Sequence, residues 1–336
     1  MSNHSALLTT HRDTIPAGLR PTTTATTTAL ASRRSRAFYT PLDAVIMAQP
    51  RVLAVIPSRY GSSRLPGKPL LPMLGGAPMI AHVVRAARAA KSTAHVIVAT
   101  DHEGIAAAAE AAGAEAVLTS RALRSGTDRV AAALRVAGAE ADVVVNVQGD
   151  EPLIDPGAID LAARLLLAQP TADMATLSAP LPLSALLDPH TVKVVCSHPV
   201  LSVAPPASDA LPLQGLQNAK MAFAFSRAPI GVDRSTLEHL LQAHSGSIGA
   251  PSAPLHVSHA CRLHVGLYAF RPAALQRFIS LPPAPLELLE QLEQLRALQD
   301  GMRIVVGEVD TAARGIDTMQ DHRLLTLAPP TGLHSQ

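Results

Sequence analysis

From residue 52 onward, short apolar runs alternate with stretches that have helical character. Residues 52–57 form a continuous apolar run, and residues 143–147 are apolar except for Asn146, a pattern typical of strands buried on both faces of a sheet. Residues 78–90 have helical spacing, and the Ala-rich residues 103–112 favour a helix by composition. Strands that alternate with helices predict an α/β fold with a mostly parallel sheet and helices on both faces.

The second half of the chain carries shorter apolar runs between polar and Pro-rich stretches. We expect strands at residues 174–178, 192–196, 221–225, 264–270 and 303–309. The apolar positions of residues 286–299 predict one amphipathic helix. Residues 201–217 and 235–258 are rich in Pro, Ser, Ala and Gly, which predicts two surface loop insertions.

This regular pattern supports a single domain over residues 49–330. Its expected parts are a nucleotide-binding half (49–180), a smaller mixed β subdomain for sugar binding and dimerisation (181–270), and a closing helix–strand–helix segment (271–330). Ligands of such sheets bind at the carboxyl ends of the strands. The loops after residues 57, 100 and 147 are therefore where chemistry is expected.

Residues 1–48 differ from the rest of the chain. They are rich in Thr, Ser, Ala and Arg, poor in acids, and carry no hydrophobic pattern that could pack. Such a composition resembles an organellar transit peptide. The alternative is a disordered or spurious upstream extension, which we favour because Met47 stands immediately before the first predicted strand. Neither interpretation gives the segment any chemistry.

Bulk composition narrows the classes of function. The 336 residues carry a net charge of +2, too small a surplus to indicate nucleic-acid binding. The sequence has no run of 18 apolar residues, so we expect no membrane span. The only cysteines, Cys196 and Cys261, have no partner spacing, which argues against disulfides and a cysteine-based zinc site. A reducing compartment, and hence a cytoplasmic location, is expected.

The loop after the first predicted strand is rich in cations and glycine. A triphosphate needs closely approaching backbone N–H groups and fixed positive charges. The candidates for these roles are Arg59, Gly61, Arg64, Gly67 and Lys68. The loop is not a Walker A motif, because Pro69 stands where that motif places a magnesium-binding hydroxyl. A different phosphate-binding loop is predicted.

Asp150 follows the buried run 143–147 and so lies at the same predicted edge of the sheet. Mg²⁺ in proteins usually takes one or two carboxylates together with phosphate oxygens. A Gly-Asp pair at a strand end serves as a cap or turn at least as often. Beside a phosphate-binding loop, metal binding is the favoured interpretation.

These motifs resemble those of the cytidylyltransferases that activate 3-deoxy-manno-octulosonate for lipopolysaccharide. Residues 57–70 match that family's loop signature almost without gaps. Further similar stretches follow in the same order at residues 99–102, 124–129, 145–152, 225–227, 264–268, 285–296 and 315–318. The resemblance covers roughly residues 51–326. It departs where the family usually has an aromatic residue, within residues 229–234, and where Met319 replaces a usual proline.

The resemblance implies a Rossmann-like nucleotide-diphospho-sugar transferase fold, a homodimer, and Mg²⁺ as cofactor, with CTP and 3-deoxy-manno-octulosonate as substrates. The implied nucleotide-binding residues are Arg59, Ser62, Ser63, Arg64, Lys68, Ser125, Gly126, Thr127, Arg129 and Gln148. The implied sugar-binding residues are Gln148, Arg227, His264, Tyr268, Glu293 and Gln294. Asp150 and Asp317 would hold the metal. With Lys68 and Arg64 they form the implied catalytic set.

Several of these residues have plainer interpretations. His264 and Tyr268 would by themselves be a core pair on one face of a strand. From their spacing alone, a solvated helix face is expected for Glu287, Glu290, Glu293 and Arg296. Without the resemblance, Arg227 is expected to be a surface residue.

Two other functions remain open. One is the activation of a different acidic sugar, although sialate activators usually carry a different sequence around the Gly-Lys pair. The other is a non-catalytic nucleotide-binding module of the same fold. Such a module would be expected to lose a metal carboxylate, and both Asp150 and Asp317 are present.

Overall fold

The described part of the chain is organised around one sheet of nine strands. The computed structural model describes residues 49–62, 64–199, 214–244 and 261–327. The predicted extension at residues 1–48 lies outside these ranges. The strands are β1 (Val52–Ser58), β2 (Thr93–Thr100), β3 (Glu115–Leu118), β4 (Val143–Asn146), β5 (Met174–Ala179), β6 (Lys193–Cys196), β7 (Lys220–Ser226), β8 (Cys261–Phe270) and β9 (Ile304–Glu308).

Helices cover both faces of this sheet. They are α1 (Met79–Ala89), α2 (Glu103–Ala111), α3 (Gly126–Ala137), α4 (Pro156–Ala168), α5 (Gln214–Gln217), α6 (Arg234–His244), α7 (Pro272–Ser280), α8 (Pro285–Glu290), α9 (Gln294–Gln299) and α10 (Met319–Leu327). Alternate residues of β1 enter separate cores, because side chains of a strand point to opposite faces. Val52, Ala54 and Ile56 pack with α1, α2 and α4, whereas Leu53 and Val55 pack with α3, α7 and α9.

The sheet is mixed, with four parallel and five antiparallel strand pairings, so the structure does not confirm a parallel majority. The strand order is β3-β2-β1-β4-β8-β5-β9-β7-β6, and only its first four strands form a continuous parallel block. β8 runs antiparallel to both β4 and β5, and β6 pairs with β8 as well as with β7. Strands β8, β5, β9, β7 and β6 thus close into a ring. The ring shares one sheet with the parallel block and contains the strands of the predicted β subdomain.

A bulge divides β8, which pairs both with β4 of the parallel block and with strands of the ring. Its pairing with β5 shifts register between Tyr268, opposite Thr176, and Val265, opposite Leu177. The Thr176 hydroxyl fills the irregularity, lying 2.8 Å from the Leu267 carbonyl oxygen and 3.1 Å from that of Val265. Bulges bend a strand and turn its groups in new directions. Here the bulge turns the carbonyl of Gly266 toward the strand end that carries Gln148, whose side chain bonds to it.

Two predicted elements are wrong in detail. The single helix expected at residues 286–299 is two short helices, α8 and α9, separated by Gln291 with a φ of 53°. The expected loop at 235–258 begins as helix α6, and its residues 245–258 lie outside the described ranges. Most of the expected loop at 201–217 lies outside them as well. Among the described residues, no helix has the length and apolar character needed to cross a membrane.

Candidate active site

The cation-rich loop leaves β1 at the carboxyl end of the parallel block. Tyr60 organises it, since its carbonyl oxygen accepts the N–H groups of Ser62 and Gly67, both at 3.0 Å. Gly67 has a φ of 70°, and a Cβ there would contact the Tyr60 ring at 3.4 Å. Only glycine adopts this backbone without steric cost. The turn then leads into a short 3₁₀ helix, Lys68–Leu70, which presents Lys68 to the sheet edge.

The end of β2 holds this loop in place. The Tyr60 ring stacks on His102 with ring centroids 4.1 Å apart, and the Tyr60 N–H donates to Asp101 Oδ1 at 2.9 Å. Asp101 also pairs with Arg129 of α3 at 3.4 Å, and both side chains are less than a tenth exposed. Burial is the main cause of a lowered Arg129 pKa, which the nearby Asp101 carboxylate partly offsets. One buried charge pair therefore joins the loop, β2 and α3.

Lys68 is the point where distant parts of the chain meet. Its ammonium donates to Asp150 Oδ2 at 2.9 Å, to Asp317 Oδ1 at 3.2 Å and to the Ile316 carbonyl oxygen at 2.7 Å. Arg64 approaches the other carboxylate oxygen of Asp317 at 3.4 Å. The two acids that the family resemblance pairs as metal ligands thus share one cation.

The segment before α10 brings Asp317 into the site. Ile316 is fully buried against Leu65, Met73 and Met79, beneath the cation-rich loop. Its N–H also donates to the Asp150 carbonyl oxygen at 2.9 Å. An apolar anchor and a backbone hydrogen bond therefore hold Asp317 beside Asp150.

Gly149 allows the strand end that carries Asp150 to approach β1. A Cβ at this position would lie 2.7 Å from the backbone oxygen of Pro57. Real Cβ atoms do not approach a carbonyl oxygen so closely, so any larger residue would push the two strand ends apart. The glycine is needed here because of this backbone contact.

These residues surround a cavity of about 350 Å³. The predicted site residues that line it are Arg59, Ser62, Arg64, Lys68, Ser125, Gly126, Arg129, Gln148, Asp150, Glu293 and Asp317. Ser63 lies outside the described residues. The lining residues that were not predicted are Pro57, Ser58, Pro69, Leu123, Arg124 and Gly149. Arg124 could have been noticed, because it begins one of the family-like stretches.

The amino terminus of α3 also opens onto the cavity. Ser125 caps this helix, its hydroxyl accepting the Asp128 N–H at 3.1 Å. Free N–H groups and the helix dipole make such a terminus favourable for anions. Together with the cations of the loop, it gives the cavity an electropositive wall that suits phosphate groups.

Gln148 and Glu293 form the wall of the cavity nearest the bulge in β8. Gln148 Nε2 donates to the Gly266 carbonyl oxygen at 3.0 Å. Glu293 accepts the Thr127 hydroxyl at 2.9 Å, and burial raises the pKa of its carboxyl. Thr127 thus reaches the site through Glu293 and does not line the cavity itself.

His264, Tyr268 and Gln294 lie behind this wall and do not line the cavity. His264 bonds to Thr176 at 3.1 Å and sits edge-on to Phe225, and burial lowers its pKa to about 3. The Tyr268 ring lies 5.4 Å from that of His264, and burial raises the pKa of its hydroxyl, as does the nearby Glu293. Tyr268 Oη and Gln294 Nε2 are buried without a hydrogen-bond partner among the described residues.

Arg227 is held away from the cavity. Its Nε donates to the Glu290 carbonyl oxygen at 2.8 Å and its Nη1 to that of Pro189 at 3.0 Å. The Arg227 N–H and the Ser226 hydroxyl both bond to the Glu290 carboxylate. In this arrangement Arg227 joins the end of β7 to α8, and the structure does not bring it together with the other predicted sugar-binding residues.

The solvated helix face expected for Glu287, Glu290, Glu293 and Arg296 is wrong. Each acid has a partner in a different element. Glu287 pairs with Arg296, Glu290 binds the end of β7, and Glu293 bonds to Thr127. The spacing is helical, but the break at Gln291 turns these side chains toward the protein.

Asp150 and Asp317 fit a divalent cation by their chemistry. Both carboxylates already contact one positive group, and their side chains are 36% and 51% exposed, so solvent and ligands can reach them. Mg²⁺ typically binds one or two carboxylates and fills its other positions with water and phosphate oxygens. No group of three potential protein ligands occurs among the described residues, so such an ion would depend on phosphate and water.

Comparison with known proteins decides the family. The sequence profile of a family described as cytidylyltransferase matches residues 53–304. The chain belongs to the cytidylyltransferase family. It is 45% identical over 271 residues to a 3-deoxy-manno-octulosonate cytidylyltransferase of Anaeromyxobacter sp. (strain Fw109-5), covering 81% of this chain and 93% of that one. A protein of the same name from Bradyrhizobium sp. (strain BTAi1) is 43% identical over 289 residues, 84% of this chain and its own full length.

A solved structure supports the same assignment within the cytidylyltransferase family. The structure of CMP:2-keto-3-deoxy-manno-octonic acid synthetase complexed with CTP has 34% sequence identity and a TM-score of 0.63. The match covers 80% of this chain and 94% of that one. The family resemblance first seen in short motifs is therefore confirmed across the cytidylyltransferase domain, and the chain is a nucleotidyltransferase.

Proposed function

We propose that this protein transfers CMP from CTP to the anomeric hydroxyl of 3-deoxy-D-manno-octulosonate, with release of pyrophosphate. The observation that carries the proposal is the meeting of Lys68, Asp150 and Asp317 at a cation-lined cavity, in a chain of this family. The product, CMP-octulosonate, is the activated sugar used to build lipopolysaccharide.

The triphosphate of CTP would bind along the wall formed by the loop and α3. Arg59, Arg64 and Lys68 supply three cations there, and the α3 terminus supplies backbone N–H groups. Fixed positive charge in a partly enclosed site stabilises phosphate more strongly than it would in water. Ser62 lines the same wall and can donate its hydroxyl to a phosphate oxygen.

The sugar acid would bind toward Gln148 and Glu293, with Tyr268, His264 and Gln294 behind them. The buried Tyr268 hydroxyl and Gln294 amide have hydrogen-bonding capacity that no described residue uses. Buried polar groups are nearly always paired, so unpaired ones beside a cavity point to a polar ligand. A sugar with many hydroxyls meets this requirement. Arg227 would reach it only after leaving its contacts with Glu290 and Pro189.

In the reaction, the anomeric hydroxyl attacks the α-phosphorus of CTP and the bond to the β-phosphate oxygen breaks. Holding both substrates in line supplies much of the acceleration. Lys68 and Arg64 lie where they can offset the charge that develops on the leaving pyrophosphate. Asp150 and Asp317 would hold Mg²⁺, which as a Lewis acid polarises phosphate oxygens and lowers the pKa of a bound hydroxyl.

Two further expectations accompany this function. The resemblance implies a homodimer. A cytoplasmic location is expected as well, and the two cysteines agree with a reducing compartment because both are free and buried.

The test is pyrophosphate release from CTP and Mg²⁺ with 3-deoxy-D-manno-octulosonate, run beside sialic acid and the other nucleoside triphosphates. Release with CTP and the octulosonate alone is the expected result. Release only with another acidic sugar would reject the proposed substrate and keep the nucleotidyl transfer. No pyrophosphate release with any pair of substrates would favour a non-catalytic nucleotide-binding module.

A further inference from the structure

The corner between α8 and α9, residues 284–296, contains a buried ion pair. Arg296 approaches Glu287 with two nitrogens, Nε at 2.8 Å from Oε2 and Nη2 on Oε1. The two side chains are 7% and 10% exposed. Burial would raise the pKa of Glu287, but hydrogen bonds from Arg296 and the Ala284 N–H outweigh it and hold that pKa below its ordinary value. Such two-nitrogen pairs fix geometry as well as charge.

Glu287 also shapes the backbone of the corner. Its carboxylate accepts the Ala284 N–H at 2.9 Å, at the start of α8, and its carbonyl oxygen accepts the N–H groups of Gln291 and Leu292. Gln291 is the only non-glycine among the described residues with a positive φ. That conformation is sterically unfavourable for a residue with a side chain. Contacts around Glu287 must therefore outweigh the cost to keep the chain turned here.

The turn at Gln291 sets the direction of two predicted sugar-binding residues. Glu293 and Gln294 lie between Gln291 and Arg296, and Leu292 is buried against the core. Arg296 in turn lies over the ring of Phe278 in α7, 5.0 Å from its centroid. The corner is thus fixed to the core on one side and presents Glu293 to the cavity on the other.

We propose that Glu287 and Arg296 form a positioning pair that sets Glu293 and Gln294 for recognition of the sugar acid. Neither member of the pair lines the cavity. They act through the turn at Gln291, whose two ends they join. The inference rests on the proposed function, since it assigns Glu293 and Gln294 to the sugar half of that site. It goes further in naming the pair that determines the sugar affinity.

The double variant E287L/R296M tests this role. Replacing both members with apolar side chains leaves no unpaired buried charge, a change that folded proteins usually tolerate. The variant loses the link between the two ends of the turn. We expect the KM for the octulosonate to rise about 10-fold to 100-fold, since small misplacements of binding groups have effects of this size. The KM for CTP and the dissociation constant of CTP should stay within about twofold.

The matched control is K220M/E308L. Lys220 and Glu308 also form a largely buried pair, 15% and 21% exposed with a separation of 2.6 Å, and neither lines the cavity. Arg262, 3.6 Å from Glu308, loses that partner in the control but keeps its hydrogen bond to Ser178. Its sugar KM should equal that of the wild type. If E287L/R296M does not bind CTP and is unfolded by circular dichroism, the variant R296K, which keeps the charge but loses the two-nitrogen geometry, provides the same comparison.

Three outcomes decide the matter. A selective rise in the sugar KM of E287L/R296M, absent from K220M/E308L, supports the positioning role. If E287L/R296M turns over like the wild type with an unchanged sugar KM, or if its KM values for sugar and CTP rise equally, the positioning role is overturned and the proposed function is unaffected. A wild type that releases no pyrophosphate with any acidic sugar overturns the proposed function and this inference together.

Discussion

Replacing Lys68 with methionine removes the one positive group that Asp150 and Asp317 share. The side chain keeps a similar length and its apolar stem, so the change is confined to the ammonium and its three hydrogen bonds. We assign this ammonium a direct part in the reaction, in which it offsets charge on the leaving pyrophosphate. The variant therefore separates a catalytic role from a structural one.

The two effects differ in size. Loss of one preorganised charge-stabilising donor typically lowers kcat by about 10²–10³, or roughly 2.7–4 kcal/mol. The stability effect should be smaller, because the Asp150 and Asp317 side chains are 36% and 51% exposed and solvent screens the pair. Exposed ion pairs contribute about 0.2–1 kcal/mol each, and the buried Ile316 carbonyl oxygen left without its donor costs about 1–3 kcal/mol, so a total of about 2–3 kcal/mol is expected. In a domain of this size each kcal/mol lowers Tm by roughly 2–4 °C.

The assay is pyrophosphate release at saturating substrates, with Tm measured on the same samples. K220M serves as the control, because it also removes one ammonium from a close pair but lies outside the cavity. We expect a fall in Tm for both variants and a fall in kcat for K68M alone. A K68M enzyme within about tenfold of the wild type would refute the proposed role.

Three further changes test the framework around the site. G149A should lower the free energy of unfolding by about 1–3 kcal/mol and kcat by about 10²-fold, because its Cβ would meet the Pro57 carbonyl oxygen; denaturant unfolding and turnover measure both. I316A should lower the free energy of unfolding by about 2–5 kcal/mol, which calorimetry measures. It should also release Asp317 from its position, which would change the Mg²⁺ dependence of turnover. E287Q should be less stable than the wild type by about 3–5 kcal/mol near pH 7, with a smaller difference below about pH 4 in denaturant titrations.

The sign of the last effect comes from the lowered pKa of Glu287. A carboxyl whose pKa is lower in the folded state than in the unfolded state stabilises the protein at pH values above its unfolded-state pKa, 4.5. This stabilisation is lost as the pH falls through the folded-state pKa. A pH-independent difference between wild type and E287Q would contradict it. Normal turnover in G149A, or an unchanged Mg²⁺ dependence in I316A, would show that these residues do not hold the two carboxylates in place.

The sequence predicted the parts of the fold that depend on local pattern. Within the parallel block, β1 and β4 follow from their apolar runs and the cation-rich loop from the Gly-rich, basic turn after β1, whereas β3 was not predicted. The mixed half could not be predicted from such runs, because an apolar strand does not reveal its neighbours. β8 pairs with three strands and carries a bulge near Gly266. A lone glycine within a strand can mark a bulge, but it does not reveal which strands will be the neighbours.

The site shows the same division. Lys68 and Asp150 were recognised from their loops, but their meeting with Ile316, 248 residues from Lys68, is a property of the tertiary structure. The acids at positions 287, 290 and 293 were misjudged without the family resemblance because their partners come from other elements. Arg227 was placed in the sugar site by resemblance alone, whereas its contacts join β7 to α8.

The central claim is that the sugar's own anomeric oxygen becomes bonded to the α-phosphorus of CTP. The most direct measurement uses octulosonate labelled with ¹⁸O at the anomeric hydroxyl and follows the products by ³¹P NMR and mass spectrometry. We predict ¹⁸O in the bridge of the CMP-sugar and none in pyrophosphate. Label absent from the CMP-sugar, or found in pyrophosphate, would contradict attack by the sugar on the α-phosphorus.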